Sequence, residues 1–342
     1  MQRAGHLFDQ ALAWNNLREA AARALRGKRH RPDARRFASD LDVRLSSMRV
    51  ELAAGTYLFG RCHQFVVHDP KQRIITAPDF RDRVVHHALI NVCEPVFERW
   101  LIDDTYACRR GRGRIAAVLR ARCFARRFGY YLKLDIRKYF DSIPHAELLR
   151  RLERLFKDPR LLDLFARLVG SFRGSVGRGL PIGALTSQHF ANFYLGWFDR
   201  EVKERWRVKG YARYMDDMVL WGDSAAGLRE LRRRAIAFLS DELRLTVKPA
   251  HYLNRSQHGL DFLGCRVHPD RLTLNRRSRV RFRRKLAALE SMRRRETITP
   301  SDLQRRGTAL VAYARAAGVN SWQFRQRALR QMEVSGHEAR TG

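Results

Sequence analysis

The chain has 342 residues, of which 68 are Lys or Arg and 35 are Asp or Glu, giving a formal net charge of +33. So large a positive charge is atypical of a metabolic enzyme and indicates a polyanionic partner such as nucleic acid. The hydrophobic content of 45% excludes a disordered basic tail, because that much apolar surface can form a packed core.

The five cysteines are scattered and none forms a C-x-x-C pair, which argues against a disulfide framework and against a zinc knuckle or ribbon. The N-terminus lacks the apolar segment of a secretory signal, and no run approaches the ~18 apolar residues of a membrane span. We therefore expect a protein of a reducing, cytoplasmic compartment with no membrane partner.

Apolar residues at three- and four-residue steps predict helices in the first sixty residues. One pattern covers residues 14–25 and stops at Gly27, where a basic run begins. A second pattern covers residues 37–52 and stops at Gly55. Both apolar stripes are expected to be packing faces.

Two short strands and a helix are predicted next. Residues 64–68 form a strand that turns at Asp69-Pro70, and Ile74-Ile75 lies in the second strand. Helical spacing returns over residues 79–100. Residues 105–113 form a basic loop that is interrupted by glycines.

Three later segments have β character. Residues 131–136 alternate in polarity, residues 211–221 read as a hairpin with Asp216-Asp217 at its tip, and residues 260–267 form a strand or hairpin. The remaining periodicity predicts helices at 145–170, at 186–206, at 225–243 and from Asn275 onward. Because the strands are not separated by regular crossover helices, the fold class is α+β.

The acidic residues of these strands suggest a chemical site. Asp135 lies on the face of its strand that also carries Tyr131 and Lys133, and Asp216-Asp217 separates two apolar runs. Semi-buried acids need a cation or strong donors, and two such acids from neighbouring strands would suit Mg²⁺. Spacing alone also allows a salt-bridged aspartate and a solvated turn.

The residues around these acids resemble the motifs of reverse transcriptases. Tyr214-Met215-Asp216-Asp217 matches the YxDD signature of that family. The other motifs follow in the family's order and spacing. The fingers motifs are at 70–73, 82–85 and 106–113, and two palm motifs are at 132–143 and 179–188. A fourth palm motif with the primer grip is at Lys248 and 259–267. The resemblance covers roughly residues 60 to 270.

The resemblance implies a right-hand polymerase architecture with fingers, an RRM-like antiparallel palm, a short helical thumb and a helical N-terminal extension. The implied boundaries are 1–60 for the extension, 61–129 and 143–183 for the fingers, 130–142 and 184–275 for the palm, and 276–342 for the thumb and tail. The residues after the primer grip are too few for a usual maturase or ribonuclease H domain, so we expect neither in this segment.

The resemblance also implies two-metal nucleotidyl transfer. Asp135 and Asp216 would hold two Mg²⁺ ions, helped by the backbone carbonyl of Ile136. Asp217 belongs to the same catalytic and metal set, and it is expected to tune the site electrostatically more than to bind metal directly.

The nucleotide site and primer grip follow from the same resemblance. Lys71 and Arg73 would clamp the phosphates, and Phe140 would exclude a ribose 2′-hydroxyl, although side chains of these types also occur at solvated strand ends and in cores. Lys248 would donate a proton to pyrophosphate, unless it is simply solvated. The full implied set is Lys71, Arg73, Lys138, Tyr139, Phe140, Ile182, Gly183, Ser187, Gln188 and Lys248 for the nucleotide, and Phe262, Leu263 and Gly264 for the primer grip.

The second palm motif narrows the resemblance. Most reverse transcriptases have Gln-Gly-x-x-x-Ser-Pro there, whereas residues 182–188 read Ile-Gly-Ala-Leu-Thr-Ser-Gln and resemble the enzymes of diversity-generating retroelements. Such enzymes, of bacterial or phage origin, copy a template-repeat RNA into cDNA with frequent errors opposite adenine, and work with a small basic pentameric accessory protein. Replacing a glutamine donor by Ile182 would relax control of pairing geometry, unless Ile182 only packs.

Two alternatives stay open at this point. One is a faithful bacterial reverse transcriptase of group II intron, retron or defence type. The other is an RNA-binding scaffold without catalysis, which the intact acids disfavour. In each case the basic helix after Asn275 is expected to contact phosphates, as the overall charge indicates.

Overall fold

The computed structural model describes residues 2–68, 72–172, 176–249, 252–316 and 326. The chain forms two compact units that each draw on several segments. Unit 1 comprises residues 1–103, 136–201 and 235–248, and unit 2 comprises residues 104–135, 202–234 and 249–342. The boundaries expected for fingers, palm and thumb stay a prediction.

The periodicity predicts helices over residues 14–25 and 37–52, and unit 1 begins with four helices. They are α1 (Leu7–Ala11), α2 (Trp14–Leu25), α3 (Pro32–Ser39) and α4 (Leu41–Ala53). The prediction of one continuous helix over residues 37–52 is wrong, because Asp40 leaves the helical conformation with φ −122° and ψ 43°. Phe37 therefore lies in the last turn of α3, where the centre of its ring is 5.1 Å from that of Phe80.

The predicted pair of strands and the helix after it are confirmed. They are β1 (His63–His68), β2 (Gln72–Ala77) and α5 (Phe80–Trp100). β1 and β2 pair in antiparallel register from His63 opposite Ala77 to His68 opposite Gln72. Helix α5 is buried along most of its length and packs against α2.

The prediction of one helix over residues 145–170 is wrong, because the chain leaves the helical conformation before Asp158-Pro159. Asp158 has φ −76° and ψ 111°, and Pro159, which lacks an N–H, begins the next helix. The helices of this region are α7 (Tyr139–Ser142), α8 (His145–Leu152), α9 (Pro159–Gly170) and α10 (Leu185–Arg200). Aromatic rings from two of the unit's segments meet in its core, where the centre of the Phe97 ring lies 5.5 Å from those of both Phe156 and Phe193.

Unit 2 contains a four-stranded antiparallel sheet in the order β4-β5-β3-β6. Its strands are β3 (Tyr130–Asp135), β4 (Gly210–Tyr214), β5 (Asp217–Gly222) and β6 (Tyr252–Arg255). The hairpin expected over residues 211–221 is confirmed, whereas β6 was not predicted. Helix α6 (Arg114–Arg127) was also not predicted, because its buried stripe includes three alanines, among them Ala117 and Ala121.

A second sheet and the last helices complete the described part of the chain. Residues 260–267, predicted to form a strand or hairpin, form a hairpin, and a third strand pairs with it. The elements are α11 (Ala225–Asp241), β7 (Leu260–Phe262), β8 (Cys265–Val267), β9 (Leu272–Leu274), α12 (Arg276–Arg294) and α13 (Pro300–Ala316). Asn275 caps α12 by accepting a hydrogen bond from the N–H of Ser278 at 2.9 Å.

The core of unit 2 explains why one face of the larger sheet is covered. Tyr131, Val219 and Trp221 from that sheet are buried together with residues of α6, of β7–β9 and of α12. The strand face that carries Lys133 and Asp135 is therefore the face on which the second sheet packs. In the described part of the chain, none of the helices has the length and apolar character that a membrane crossing requires.

Two buried histidines of unit 1 predict that acid destabilises the fold. Burial lowers the pKa of His86 to about 3 and that of His189 to about 4. His86 is also held by a hydrogen bond of 2.6 Å between its Nδ1 and Thr186 Oγ1. An unfolded histidine takes up a proton near pH 6.5, whereas these two stay neutral in the native state at that pH.

The free energy of unfolding should therefore fall as the pH drops from about 6.5 to 5, by about 1–2 kcal/mol for each of the two residues. Thermal melts between pH 7.5 and 5 measure the slope. His86→Asn should make the slope shallower, whereas replacing the exposed His258 by Asn should leave it unchanged. Parallel slopes for wild type and His86→Asn would contradict the assignment.

Candidate active site

Strand pairing brings the acidic residues to one end of the larger sheet. Asp135, the last residue of β3, lies directly opposite Asp217, the first residue of β5, and Asp217 also pairs with Tyr214 of β4. Directly opposed residues in an antiparallel sheet project from the same face. Met215 and Asp216 form the two-residue turn between β4 and β5, and Met215 has a left-handed φ of 56°.

The electrostatics of Asp217 reflect this concentration of acids. Burial and, to a smaller extent, the negative charges of Asp216 and Asp135 raise the pKa of Asp217 to about 6, while Lys133 opposes the rise. The Lys133 ammonium lies 3.0 Å from Asp217 Oδ1 and 3.1 Å from Oδ2. The three predicted acids are therefore close enough to interact, and a cation of the protein itself already lies among them.

Lys133 has further contacts with the second sheet. Its Nζ donates a hydrogen bond of 2.9 Å to the carbonyl oxygen of Asp261, and it lies 5.9 Å from the centre of the Phe262 ring. Sequence reasoning placed this lysine on the same face as Asp135 but gave it no role. A lysine two residues before the acid, on an otherwise apolar strand, was the available signal.

Arg213 is the second cation that sequence reasoning missed. Its side chain is fully buried, and its Nη1 donates a hydrogen bond of 3.0 Å to the carbonyl oxygen of Met215 in the turn. Its own N–H donates to the carbonyl oxygen of Asp104, and its carbonyl oxygen accepts from the N–H of Tyr106. Arg213 thus joins the acidic turn to the basic loop after residue 104.

The predicted primer grip is the turn between β7 and β8. Leu263 and Gly264 have positive φ values of 50° and 84°, the combination of a tight type I′ hairpin turn. The side chain of Phe262 is buried in the core of unit 2. Leu263 and Gly264 are partly buried, and Leu263 packs against the same core, so Phe262 and Leu263 anchor the turn.

The second palm motif lies in unit 1, and its glycine is required by a close approach. The carbonyl oxygen of Ile182 accepts a hydrogen bond of 2.7 Å from the N–H of Thr76. Gly183 has φ 131°, and a Cβ there would lie 2.9 Å from the Ile75 side chain and 3.0 Å from the Thr76 carbonyl oxygen. The side chain of Ile182 is only partly buried, so it is available for contact.

Ser187 and Gln188 of the same motif differ in their surroundings. Ser187 is buried, and no hydrogen-bond partner of its hydroxyl is found among the described residues. Gln188 is exposed. On helix α10, Gln188 therefore presents its side chain to the surface, whereas the side chain of Ser187 faces the interior of the protein.

The side chains of the first palm motif also differ from one another in burial. Phe140 is partly buried, and its carbonyl oxygen accepts a hydrogen bond from the N–H of Leu180 at 2.8 Å. Tyr139 is buried, with its hydroxyl donating to the carbonyl oxygen of Ala191 at 2.5 Å, so its side chain packs in unit 1. Lys138 is exposed and has a left-handed φ of 47°.

The remaining predicted residues vary in what the structure gives for them. Arg73 is an exposed cation on β2, and Lys248 is partly buried. Ile136 is buried and forms a backbone bridge to Val247. Lys71 lies outside the described residues. The nucleotide-binding role of these residues stays a prediction.

The chemistry of the acids fits magnesium. Mg²⁺ prefers carboxylate oxygens and is commonly held by one or two carboxylates, with water and substrate phosphates completing its octahedron. Asp135 and Asp216 can supply two such carboxylates at the end of the sheet. Within the described ranges, no group of three or more His, Cys, Asp or Glu side chains forms a ready-made metal cage.

Arg213 predicts a measurable contribution to stability. Arg213→Met keeps an apolar chain of similar length but removes the donor to the Met215 carbonyl oxygen, so we expect unfolding to become easier by about 2–4 kcal/mol. The exposed Arg229→Met is the matched control, with an expected change within about 0.5 kcal/mol. Urea unfolding followed by circular dichroism measures the stability of both variants. Equal urea midpoints for the two variants would show that the buried Arg213 does not stabilise the fold.

The matched family and curated relatives agree with the geometry. The family described as reverse transcriptase (RNA-dependent DNA polymerase) matches residues 68–267, more than half of the chain. Protein YkfC of Escherichia coli is 29% identical over 198 residues, covering 54% of this chain and 51% of YkfC. Nuclear intron maturase 4 of Arabidopsis thaliana is 28% identical over 167 residues, covering 46% of this chain and 21% of the maturase.

A solved structure of telomerase from Candida albicans is 12% identical with a TM-score of 0.46, and the match covers 65% of this chain and 48% of that one. The chain spans about half the length of YkfC and about a fifth of that of the maturase. The family match includes β3, β4, β5 and the turn between β4 and β5, where Asp135, Asp216 and Asp217 lie, and it confirms the resemblance to reverse transcriptases. The chain belongs to the reverse transcriptase family.

Proposed function

We propose that this protein is an RNA-directed DNA polymerase whose catalytic acids are Asp135, Asp216 and Asp217. The observation that carries the proposal is the register of β3 and β5, which sets Asp135 opposite Asp217 beside the turn that holds Asp216. The acids lie within the region matched by the family, and the basic charge of the chain suits an RNA template and a growing cDNA.

Within this proposal Asp135 and Asp216 hold two Mg²⁺ ions, and Asp217 stays paired with Lys133. The ions, when bound, supply a more acidic primer 3′-hydroxyl and a counter-charge for the leaving pyrophosphate. The ion pair makes Asp217 the weaker ligand of the three, because direct coordination would compete with its contacts to Lys133. The backbone carbonyl of Ile136 stays the proposed fourth donor.

Helix α12 is the proposed track for the nucleic-acid backbone. Ser278, Phe282 and Leu286 form its buried face. Its exposed basic residues in the first three turns are Arg276, Arg277, Arg279, Arg283, Arg284 and Lys285. Contacts between these cations and phosphates would make affinity fall steeply with salt and depend little on sequence.

The activity is tested by primer extension on an RNA template with dNTPs and Mg²⁺. Asp216→Asn removes one metal-binding charge while keeping the shape, so we expect extension to fall by about 10³-fold or more, a loss of about 4 kcal/mol in transition-state stabilisation. Asp270→Asn, at an exposed site in unit 2, is the matched control and should extend like the wild type.

Undiminished extension by Asp216→Asn would remove these acids from catalysis. If neither the wild type nor the variant extends a primer while both bind RNA equally, the alternative of a non-catalytic RNA-binding scaffold is favoured instead.

We further propose that this reverse transcriptase is of the diversity-generating type and copies a template-repeat RNA with errors opposite adenine. Ile182 stands where most of the family has glutamine, and its partly exposed side chain offers an incoming nucleotide no hydrogen bond. Loss of such a donor lowers discrimination by about 1–3 kcal/mol, or roughly one to two decades in error rate. Phe140 is the proposed aromatic gate against ribonucleotides. A small basic pentameric accessory protein and a bacterial or phage-infected cytoplasm belong to the same proposal.

A faithful enzyme of intron type is the second candidate, and the similarity to intron maturases favours it. Sequencing the cDNA made on a defined RNA separates the two. The diversity-generating type predicts errors concentrated opposite adenine, and Ile182→Gln should lower those errors by about tenfold with little change at other bases. The matched control is Ile115→Gln, at an exposed site on α6. A flat error spectrum in the wild type would favour the intron type.

A further inference from the structure

Lys133 has an unusual position for a lysine. It lies on β3 between Tyr131 and Asp135, on the face of the sheet against which β7–β9 pack. Lysine carries a strongly hydrated charge and is rarely buried without partners. The partners of Lys133 therefore indicate what this position requires.

The ammonium of Lys133 has three hydrogen atoms and contacts three oxygens. Two are Oδ1 and Oδ2 of Asp217, at 3.0 and 3.1 Å, and the third is the carbonyl oxygen of Asp261, at 2.9 Å. The first two belong to the strand after the acidic turn, and the third belongs to β7 next to the predicted primer grip. One side chain thus contacts both motifs.

A second contact fixes how β3 and β7 are aligned. The hydroxyl of Tyr131 donates a hydrogen bond of 3.1 Å to the carbonyl oxygen of Gly259, which lies two residues before Asp261. Tyr131 and Lys133 are also two residues apart, so β3 and β7 advance together by about 6.6 Å per step.

We propose that Lys133 is a positioning residue that fixes Asp217 and the primer-grip strand β7 to one point, and so aligns the primer end with the catalytic acids. This inference rests on the proposed polymerase activity and extends it to a residue of the first palm motif to which the resemblance gives no role. An apolar residue at this position would leave the Asp217 carboxylate and the Asp261 carbonyl oxygen without this donor.

The test compares Lys133→Met, Lys133→Arg and the exposed Lys209→Met in primer extension at saturating and limiting dNTP. Loss of an outer-shell contact costs about 10–100-fold in activity, so Lys133→Met should lose that much in kcat. Its KM for dNTP should change little, because the contacts hold the primer strand and an acid. Lys133→Arg, which keeps the charge, should recover part of the loss, and Lys209→Met should behave as wild type.

Combining Lys133→Met with Asp217→Asn shows whether Lys133 acts through that acid. If it does, the double variant should be little worse than Asp217→Asn alone, because the second change removes a contact that is already lost. The melting temperatures of the wild type, Lys133→Met, Asp217→Asn and the double variant give a second test. The double variant should lower the melting temperature by less than the sum of the two single changes, and this measurement needs no activity.

The outcomes separate the two proposals. Additive effects on melting temperature, or a Lys133→Met variant that extends like Lys209→Met, would overturn the role of Lys133 and leave the polymerase proposal intact. No extension by the wild type would instead overturn the polymerase proposal, while coupled melting temperatures would still establish the link between Lys133 and Asp217.

Discussion

Three carboxylates share one end of the β4–β5–β3 sheet, and the repulsion among them constrains the residues nearby. The pKa of Asp217 is raised to about 6 by burial and then by the two neighbouring charges. A protein can keep such acids ionised only if cations or donors lie close by. Lys133 contacts the Asp217 carboxylate, and Arg213 donates to the backbone of the turn beside it.

The two cations belong to opposite faces of the sheet. Lys133 shares its face with Asp135 and Asp217, whereas Arg213 lies directly opposite Met218 on the other face. On one face, Arg213 therefore holds the turn through the carbonyl oxygen of Met215. On the other face, Lys133 holds the carboxylate of Asp217, which follows the turn. This arrangement fits the left-handed φ of Met215, because an unfavourable turn conformation persists only where its surroundings determine it.

Local patterns predicted much of this structure. Short windows of sequence were enough to predict the strand at residues 131–136, the hairpin around Asp216 and the α+β class. The family signature pointed to Asp135, Asp216 and Asp217 as the acids of the site. Helix boundaries were less accessible, as the breaks at Asp40 and before Pro159 show. Alanines can pack as core residues without a strong apolar signal, which is why α6 escaped notice. The strand β6 is a four-residue edge strand, and three of its residues are exposed.

The partners of Lys133 and Arg213 could not be predicted, because they depend on pairing between distant segments. Asp261 is 128 residues from Lys133, and no periodicity connects them. A lysine on a strand looks solvated until the second sheet packs on its face.

Positive charge has two different roles in this chain of net charge +33. Under the proposed function, exposed arginines such as those of α12 would act on a polyanion through a screened field, within about 10 Å at 0.1 M salt. Lys133 and Arg213 act at hydrogen-bond distance inside the fold, where screening is weak. Salt should therefore weaken nucleic-acid binding well before it disturbs the geometry of the acids.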